Sequence, residues 1–168
     1  MAKTKFTRFP VVSLGAEYLV MGYLMRRNIL AYKAPPNNEG YDLICIHPDP
    51  RKKGQQLRVQ VKSRTATDCD RGFPVKAKTI EAFDYLVAVF LNVGYFLHMA
   101  KRHPTREGAQ EPELYTFPRA FIKRYHNRSS TWEKVLTRGV DIDQYKNEAG
   151  IELIAKELKV PYPRKRVS

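Results

Sequence analysis

The chain has 168 residues, 43% of them hydrophobic, and carries a formal charge of +13. That length accommodates one domain with a real core, and the regular apolar runs exclude a disordered polymer. No apolar run reaches the roughly 18 to 20 residues of a membrane span, and the basic N-terminus leads into an amphipathic pattern, not a signal-peptide core, so the charge points to an anionic partner, nucleic acid first.

The two cysteines, Cys45 in an apolar strand and Cys69 in a polar loop, read as free thiols of a reducing cytoplasm. His47, His98, His103 and His126 show no paired zinc spacing.

Val11 to Asn28 is expected to form the first helix, with Ser13 as N-cap. Leu14, Glu17, Met21, Leu24 and Asn28 fall at helical spacing, which sets Glu17 on or beside an apolar stripe. A buried lone carboxylate costs several kcal/mol. Glu17 therefore either points off the stripe into water, pairs with Arg26, Arg27 or a strand residue, or binds a cation. Ile29 to Ala34 reads as a strand that Pro35-Pro36 and Asn37-Asn38-Glu39-Gly40 terminate.

Tyr41 to His47 is the second strand, with Asp42 at its mouth, and Leu57 to Ser63 the third. Side chains alternate along a strand, so Gln60 and Lys62 share one face while Val59 and Val61 enter the core. Between these strands lies a loop with a basic tip, Arg51-Lys52-Lys53-Gly54. A carboxylate, an amide oxygen and an ammonium on one face could hold a divalent cation and a phosphate.

Arg64 to Lys76 is polar and reads as a mobile loop. A short helix around Lys78 to Phe83 precedes Asp84 to Leu91, whose unbroken apolar run is that of a central strand covered on both faces. Asn92-Val93-Gly94 is expected to turn the chain into a returning strand, Tyr95 to Ala100. Helix, three strands, short helix and two strands make an α/β core with a mixed sheet over residues 1–100.

Residues 101–168 read as a mostly helical extension of the same compact domain. After the charged loop Lys101 to Glu113, the segment Phe117 to His126 places Arg119, Lys123 and Arg124 among aromatic and aliphatic residues. Such a helix either follows a phosphate backbone or simply has a solvated basic face. Ser130-Thr131-Trp132-Glu133 fits a capping box, and Gly139 a helix stop. Asn147 to Lys159 repeats Ile151, Ile154, Ala155 and Leu158 on one helical face before Pro161.

A helix bearing Glu17, a strand, Gly40-Tyr41-Asp42, a hairpin and Gln60-Val61-Lys62 come in an order that resembles the core of the PD-(D/E)XK nuclease superfamily, over roughly residues 10 to 100. Tyr41 stands where a Pro often precedes the Asp, and Gln60 replaces the usual acidic residue. The Gln-X-Lys form is similar to that of the group I intron homing endonucleases of this fold. The resemblance implies a restriction-endonuclease-like core and a Mg2+-dependent DNA endonuclease, with Mn2+ able to substitute. Asp42, the Gln60 amide oxygen and the Val61 carbonyl would hold the cation, and Glu17 would join through water or a second ion. Lys62 would orient the attacking water and stabilise the transition state, while Ser63 and Arg64 would lie near the scissile phosphate.

The implied partner is double-stranded or branched DNA inside a cell, and double-strand cutting by a one-site chain implies at least a homodimer. A Holliday-junction resolvase is the related alternative, although such enzymes normally keep an acid where Gln60 stands. A catalytically silent DNA-binding protein and an RNA-binding protein are the readings from other classes.

Overall fold

The computed structural model describes residues 10–97, 105–128 and 132–163. Its centre is a five-stranded mixed sheet in the order β1-β2-β3-β5-β6: β1 (Leu30–Lys33), β2 (Leu43–Ile46), β3 (Leu57–Arg64), β5 (Tyr85–Phe90) and β6 (Glu113–Pro118). Strands β3 and β5 run parallel, and all other neighbours are antiparallel. A small second sheet joins β4 (Phe73–Pro74), β8 (Lys134–Val135) and β7 (His126–Asn127). The helices are α1 (Pro10–Arg26), α2 (Arg119–Tyr125) and α3 (Asn147–Glu157), with a 3₁₀ turn at Ala77–Ala82 and another at Asp143–Tyr145. No helix among the described residues is long and apolar enough to cross a membrane.

Alternation along β3 divides the core in two. Leu57, Val59 and Val61 pack with Val87 and Val89 against Ala16, Val20 and Leu24 of α1 and Ile151, Ile154 and Ala155 of α3. On the other face Leu86, Ala88 and Phe90 meet Phe73, Phe117, Phe121, Ile122 and Val135. Burial of every residue of β5 explains its unbroken apolar sequence.

The α1–β1 connection is decided locally. Asn28 adopts φ +64° just past the helix; its N–H donates to Met25 O at 2.9 Å, and that of Ile29 to Leu24 O at 3.0 Å. This paired closure, with Leu24 and Ile29 both buried, stops the helix and aims the chain into β1.

The structure corrects several expectations. Helix α1 starts at Pro10, so Ser13 lies inside it and caps nothing; Pro fits a first helical turn because its missing N–H has no partner there anyway. The buried stripe is Ala16-Val20-Leu24, and Leu14 is exposed on the opposite side. Residues 64–76 are anchored, not loose: Ala66, Cys69, Phe73 and Val75 are buried, and β4 forms among them. Among described residues 95–97 no returning strand forms, and residues 98–100 lie outside the description; the antiparallel partner of β5 is β6. Ser130 and Thr131 of the expected capping box also lie outside it. Where its helix would follow, β8 runs instead, and the Glu133 carboxylate accepts from the Ala77 N–H.

Candidate active site

Asp42 sits one residue ahead of β2, where the β2–β3 ladder ends. Gly40 sets its approach: φ is +96°, and a Cβ there would collide with the Ala82 side chain. From that turn the Asp42 N–H donates to Val59 O at 2.9 Å, and its carbonyl accepts from Ala34 N–H at 2.8 Å. The carboxylate then reaches β3, where Oδ2 accepts from the Val61 N–H at 2.7 Å. One oxygen is thereby fixed, and Oδ1 has no protein partner among the described residues.

Gln60 and Lys62 flank Val61 on the face opposite α1. Gln60 is 5% exposed, and its Oε1 is buried without any hydrogen-bond partner. Buried amide oxygens are mostly satisfied, so an orphan next in the chain to Val61, whose N–H holds the Asp42 carboxylate, stands out. Burial holds the Lys62 ammonium below its ordinary pKa; Asp42 partly offsets this, and Lys76 adds to the depression. Lys76 stands at the start of the 3₁₀ turn, exposed, in the segment expected to be mobile. It is a site neighbour that the sequence reading missed, and the usable signal is a cation directly after the apolar Phe73-Pro74-Val75.

Glu17 forms an ion pair with Lys33 of β1, which is the strand-residue pairing rather than pairing with Arg26 or Arg27. Lys33 is in register with Leu43, the residue after Asp42, and its ammonium lies 5.6 Å from the Tyr18 ring centre. Glu17 thus reaches the Asp42 end of the sheet from the α1 side, while Gln60 and Lys62 face the other way. No hydrogen bond or ion pair among the described residues joins Glu17 to those three. The donors available to a hard cation at this corner are the Asp42 carboxylate and the Gln60 amide oxygen, and that chemistry fits Mg2+. No cluster of three His, Cys, Asp or Glu side chains occurs among the described residues.

The residues expected to touch nucleic acid are dispersed. The Arg51-Lys52-Lys53 tip joins the far ends of β2 and β3. Lys62 lies five residues beyond Leu57, roughly 17 Å along an extended strand, so this tip is not part of the Asp42 corner. Arg51 is engaged by Asp49 at 2.9 and 3.0 Å. Ser63 is half-buried at the end of β3. Arg64 donates to Gly72 O at 2.5 Å and lies 3.7 Å from Asp70, which organises the 64–76 segment. Arg119 pairs with Glu81 and Asp84 at 3.8 and 3.7 Å, and Lys123 pairs with Glu81 at 2.5 Å. Arg124 stacks over Tyr125.

Lys123 and Arg124 line an open groove of about 870 Å³ together with Tyr125, His126, Arg128 and, on its other wall, Ala77. Ala77 follows Lys76 in the chain, so the basic groove begins one residue from the cation that faces Lys62.

No protein-family model matches the chain, and no curated protein sequence does. Among solved structures it is similar to a bacterial homing endonuclease, I-Ssp6803I, with 19% identity over 95% of this chain and 96% of that one, at a TM-score of 0.49. It is also similar to Hjc of Archaeoglobus fulgidus, a Holliday junction resolvase, with 12% identity over 90% of this chain and 99% of that one, at a TM-score of 0.43.

Proposed function

We propose that this chain is a Mg2+-dependent DNA endonuclease that hydrolyses phosphodiester bonds at the Asp42–Gln60–Lys62 corner and cuts both strands as a homo-oligomer. The observation that carries the reading is the buried, partnerless Gln60 Oε1 beside a carboxylate with one oxygen free and an ammonium kept partly dry. Arg71, Asn92, Thr116 and Thr137 carry orphaned buried polar atoms as well; what supports the reading at Gln60 is that its orphan lies on the strand face shared with Lys62, next to Val61, whose N–H holds the Asp42 carboxylate.

Asp42 and Gln60 would hold the cation, with the Val61 carbonyl adjoining and Glu17 acting through water. When bound, Mg2+ supplies charge neutralisation and a polarised phosphoryl oxygen. Lys62 hydrogen-bonds and orients the attacking water, then stabilises the added negative charge as phosphorus becomes five-coordinate. The water oxygen bonds to phosphorus, the P–O3′ bond breaks, the 3′ oxygen takes a proton, and a 5′-phosphate remains. Lys76 holds a neighbouring phosphate, and the groove of Lys123, Arg124 and Arg128 takes the flanking backbone. Replacing an acid by Gln60 leaves the site with one negative charge fewer, which favours a single cation.

The test is conversion of supercoiled plasmid to nicked and linear forms by wild type and Asp42→Ala, in Mg2+, Mn2+ or EDTA. Wild type should cut only with a divalent ion, and Asp42→Ala should lose about 1,000-fold or more while still retarding DNA in a gel. DNA binding with no cleavage by wild type, on plasmid, branched DNA and a randomised library alike, would make the chain a silent binding scaffold instead.

A further inference from the structure

Trp132 is the chain's single tryptophan and is 74% exposed. One exposed aromatic is ordinary by itself; what sets this one apart is where the backbone holds it. The small sheet pairs Phe73 with Val135 and Pro74 with Lys134. The Val75 N–H carries that pairing one step further by donating to Glu133 O at 3.0 Å, and the Glu133 carboxylate accepts from the Ala77 N–H. Glu133 thus grips the 64–76 segment and its continuation on both sides of Lys76. The next pair of positions in that register is Lys76 and Trp132, so the tryptophan is carried beside the cation that faces Lys62. Its surroundings are basic. Lys134 stands between Pro74 and Asn127 in the sheet, and Arg128 follows Asn127 and lines the groove. Lys76, Arg128 and Lys134 form no ion pair among the described residues, and the carboxylate next in the chain, Glu133, is turned to the Ala77 amide.

We propose that Trp132 is a stacking platform for one nucleobase outside the double helix next to the cleaved bond, with Lys76, Arg128 and Lys134 on the phosphates of that strand. Cations alone attract any polyanion. A strand of nucleic acid also brings a flat ring with each phosphate, and an indole beside the phosphate contacts gives that ring a surface. Magnitudes then choose the form of DNA. Drawing a paired base out of a duplex costs a few kcal/mol, and least where pairing is already broken. Stacking on an aromatic side chain contributes about 1–3 kcal/mol per base, which does not exceed that cost at an intact pair. The platform therefore favours DNA with a base already unpaired, at a branch, a bulge or a frayed end. The inference rests on the reading of the chain as a DNA-acting protein and deepens it by naming the state of the DNA at the site.

Because the chain has one tryptophan, its fluorescence reports on this residue alone. The full-length protein is titrated in EDTA with a duplex carrying one bulged base, the fully paired duplex, single-stranded RNA and heparin, while anisotropy of labelled DNA follows binding. The bulged duplex should quench the tryptophan at saturation, and the paired duplex and heparin should bind with little quenching. Trp132→Ala should bind the bulged duplex about 10-fold or more weakly. Trp132→Phe should restore most of that loss and Trp132→Leu none of it, since stacking needs a ring. The alanine variant should melt at the wild-type temperature, because the side chain is mostly exposed. Bulged DNA that binds wild type without quenching overturns the proposal, as does heparin that quenches equally or a leucine variant that binds like wild type. Quenching by RNA alone overturns it for DNA. Cleavage without quenching removes the platform and leaves the nuclease reading standing; quenching and ring-dependent binding without cleavage on any DNA leave the platform and remove the nuclease.

Discussion

The α1–α3 junction and the Asp42 corner both set polar groups against the apolar core, and they are finished in opposite ways. At the junction Arg27 gives Nε and Nη2 to the two oxygens of Glu152 at 2.7 and 3.1 Å. It also donates to Pro161 O at 3.0 Å and Val160 O at 3.2 Å, so every guanidinium nitrogen has a partner and the end of α3 is tied to α1. At the corner Gln60 Oε1 has none, and the Lys62 ammonium is dried by burial. A completed network contributes rigidity; an incomplete one costs stability and keeps acceptors turned toward whatever arrives.

Mutations should separate the two regions. After Asp42→Ala, the largest effect belongs to Lys62→Met. Under the proposed role of Lys62 toward water and the developing charge, this change should slow single-turnover cleavage by about 100- to 1,000-fold. Denaturation should show the variant at least as stable as wild type, because a desolvated ammonium has gone. Gln60→Leu comes next. It should cut at least about 10-fold more slowly at limiting Mg2+, yet gain about 1 kcal/mol in a urea melt, since an unsatisfied buried oxygen is replaced by packing. A Gln60→Leu protein that loses stability would remove the orphan from the account of the site.

The smallest effect is expected at the finished junction. Glu152→Gln should cost about 1 kcal/mol after allowance for partial exposure and leave cleavage per folded molecule unchanged. Its pH dependence has a definite sign. The Arg27 hydrogen bonds hold the Glu152 carboxyl below its ordinary range, so its contribution is present above the unfolded carboxylate value and disappears as pH falls through the folded one. The gap between wild type and Glu152→Gln should therefore be full above the ordinary carboxylate range and close as the pH falls below it, as read from melting temperatures.

What the sequence makes legible is what local chemistry decides. Gln60-Val61-Lys62 announces its faces by alternation, and the structure alternates them so: Val61 turns to the α1 face, Gln60 and Lys62 away from it. All four residues of the expected α3 stripe are buried. The burial of β5 follows from its run of apolar residues. Strand β6 was hidden because the chain there carries no turn signal between a charged loop and a basic helix; pairing with β5 makes it a strand. The segment 64–76 looked polar because its few anchors, Ala66, Cys69, Phe73 and Val75, switch from spacings of three and four to a spacing of two, so neither period is sustained. The partner of Glu17 could not be read at all, since Lys33 meets it only after α1 has been laid across β1.

The way α3 docks also has a consequence for how the protein comes into being. Ile151, Ile154 and Ala155 close the core beneath α1, and Glu157 accepts the Tyr85 hydroxyl hydrogen bond at 2.5 Å. The sheet that carries Gln60 and Lys62 is therefore sealed by residues that come after position 150 in the chain. During synthesis at about 5 to 20 residues per second, a nascent chain spends seconds with the corner's residues made but its frame unfinished. The frame around the Asp42 corner is thus completed late, with α3, and any activity of that corner waits for this helix to dock.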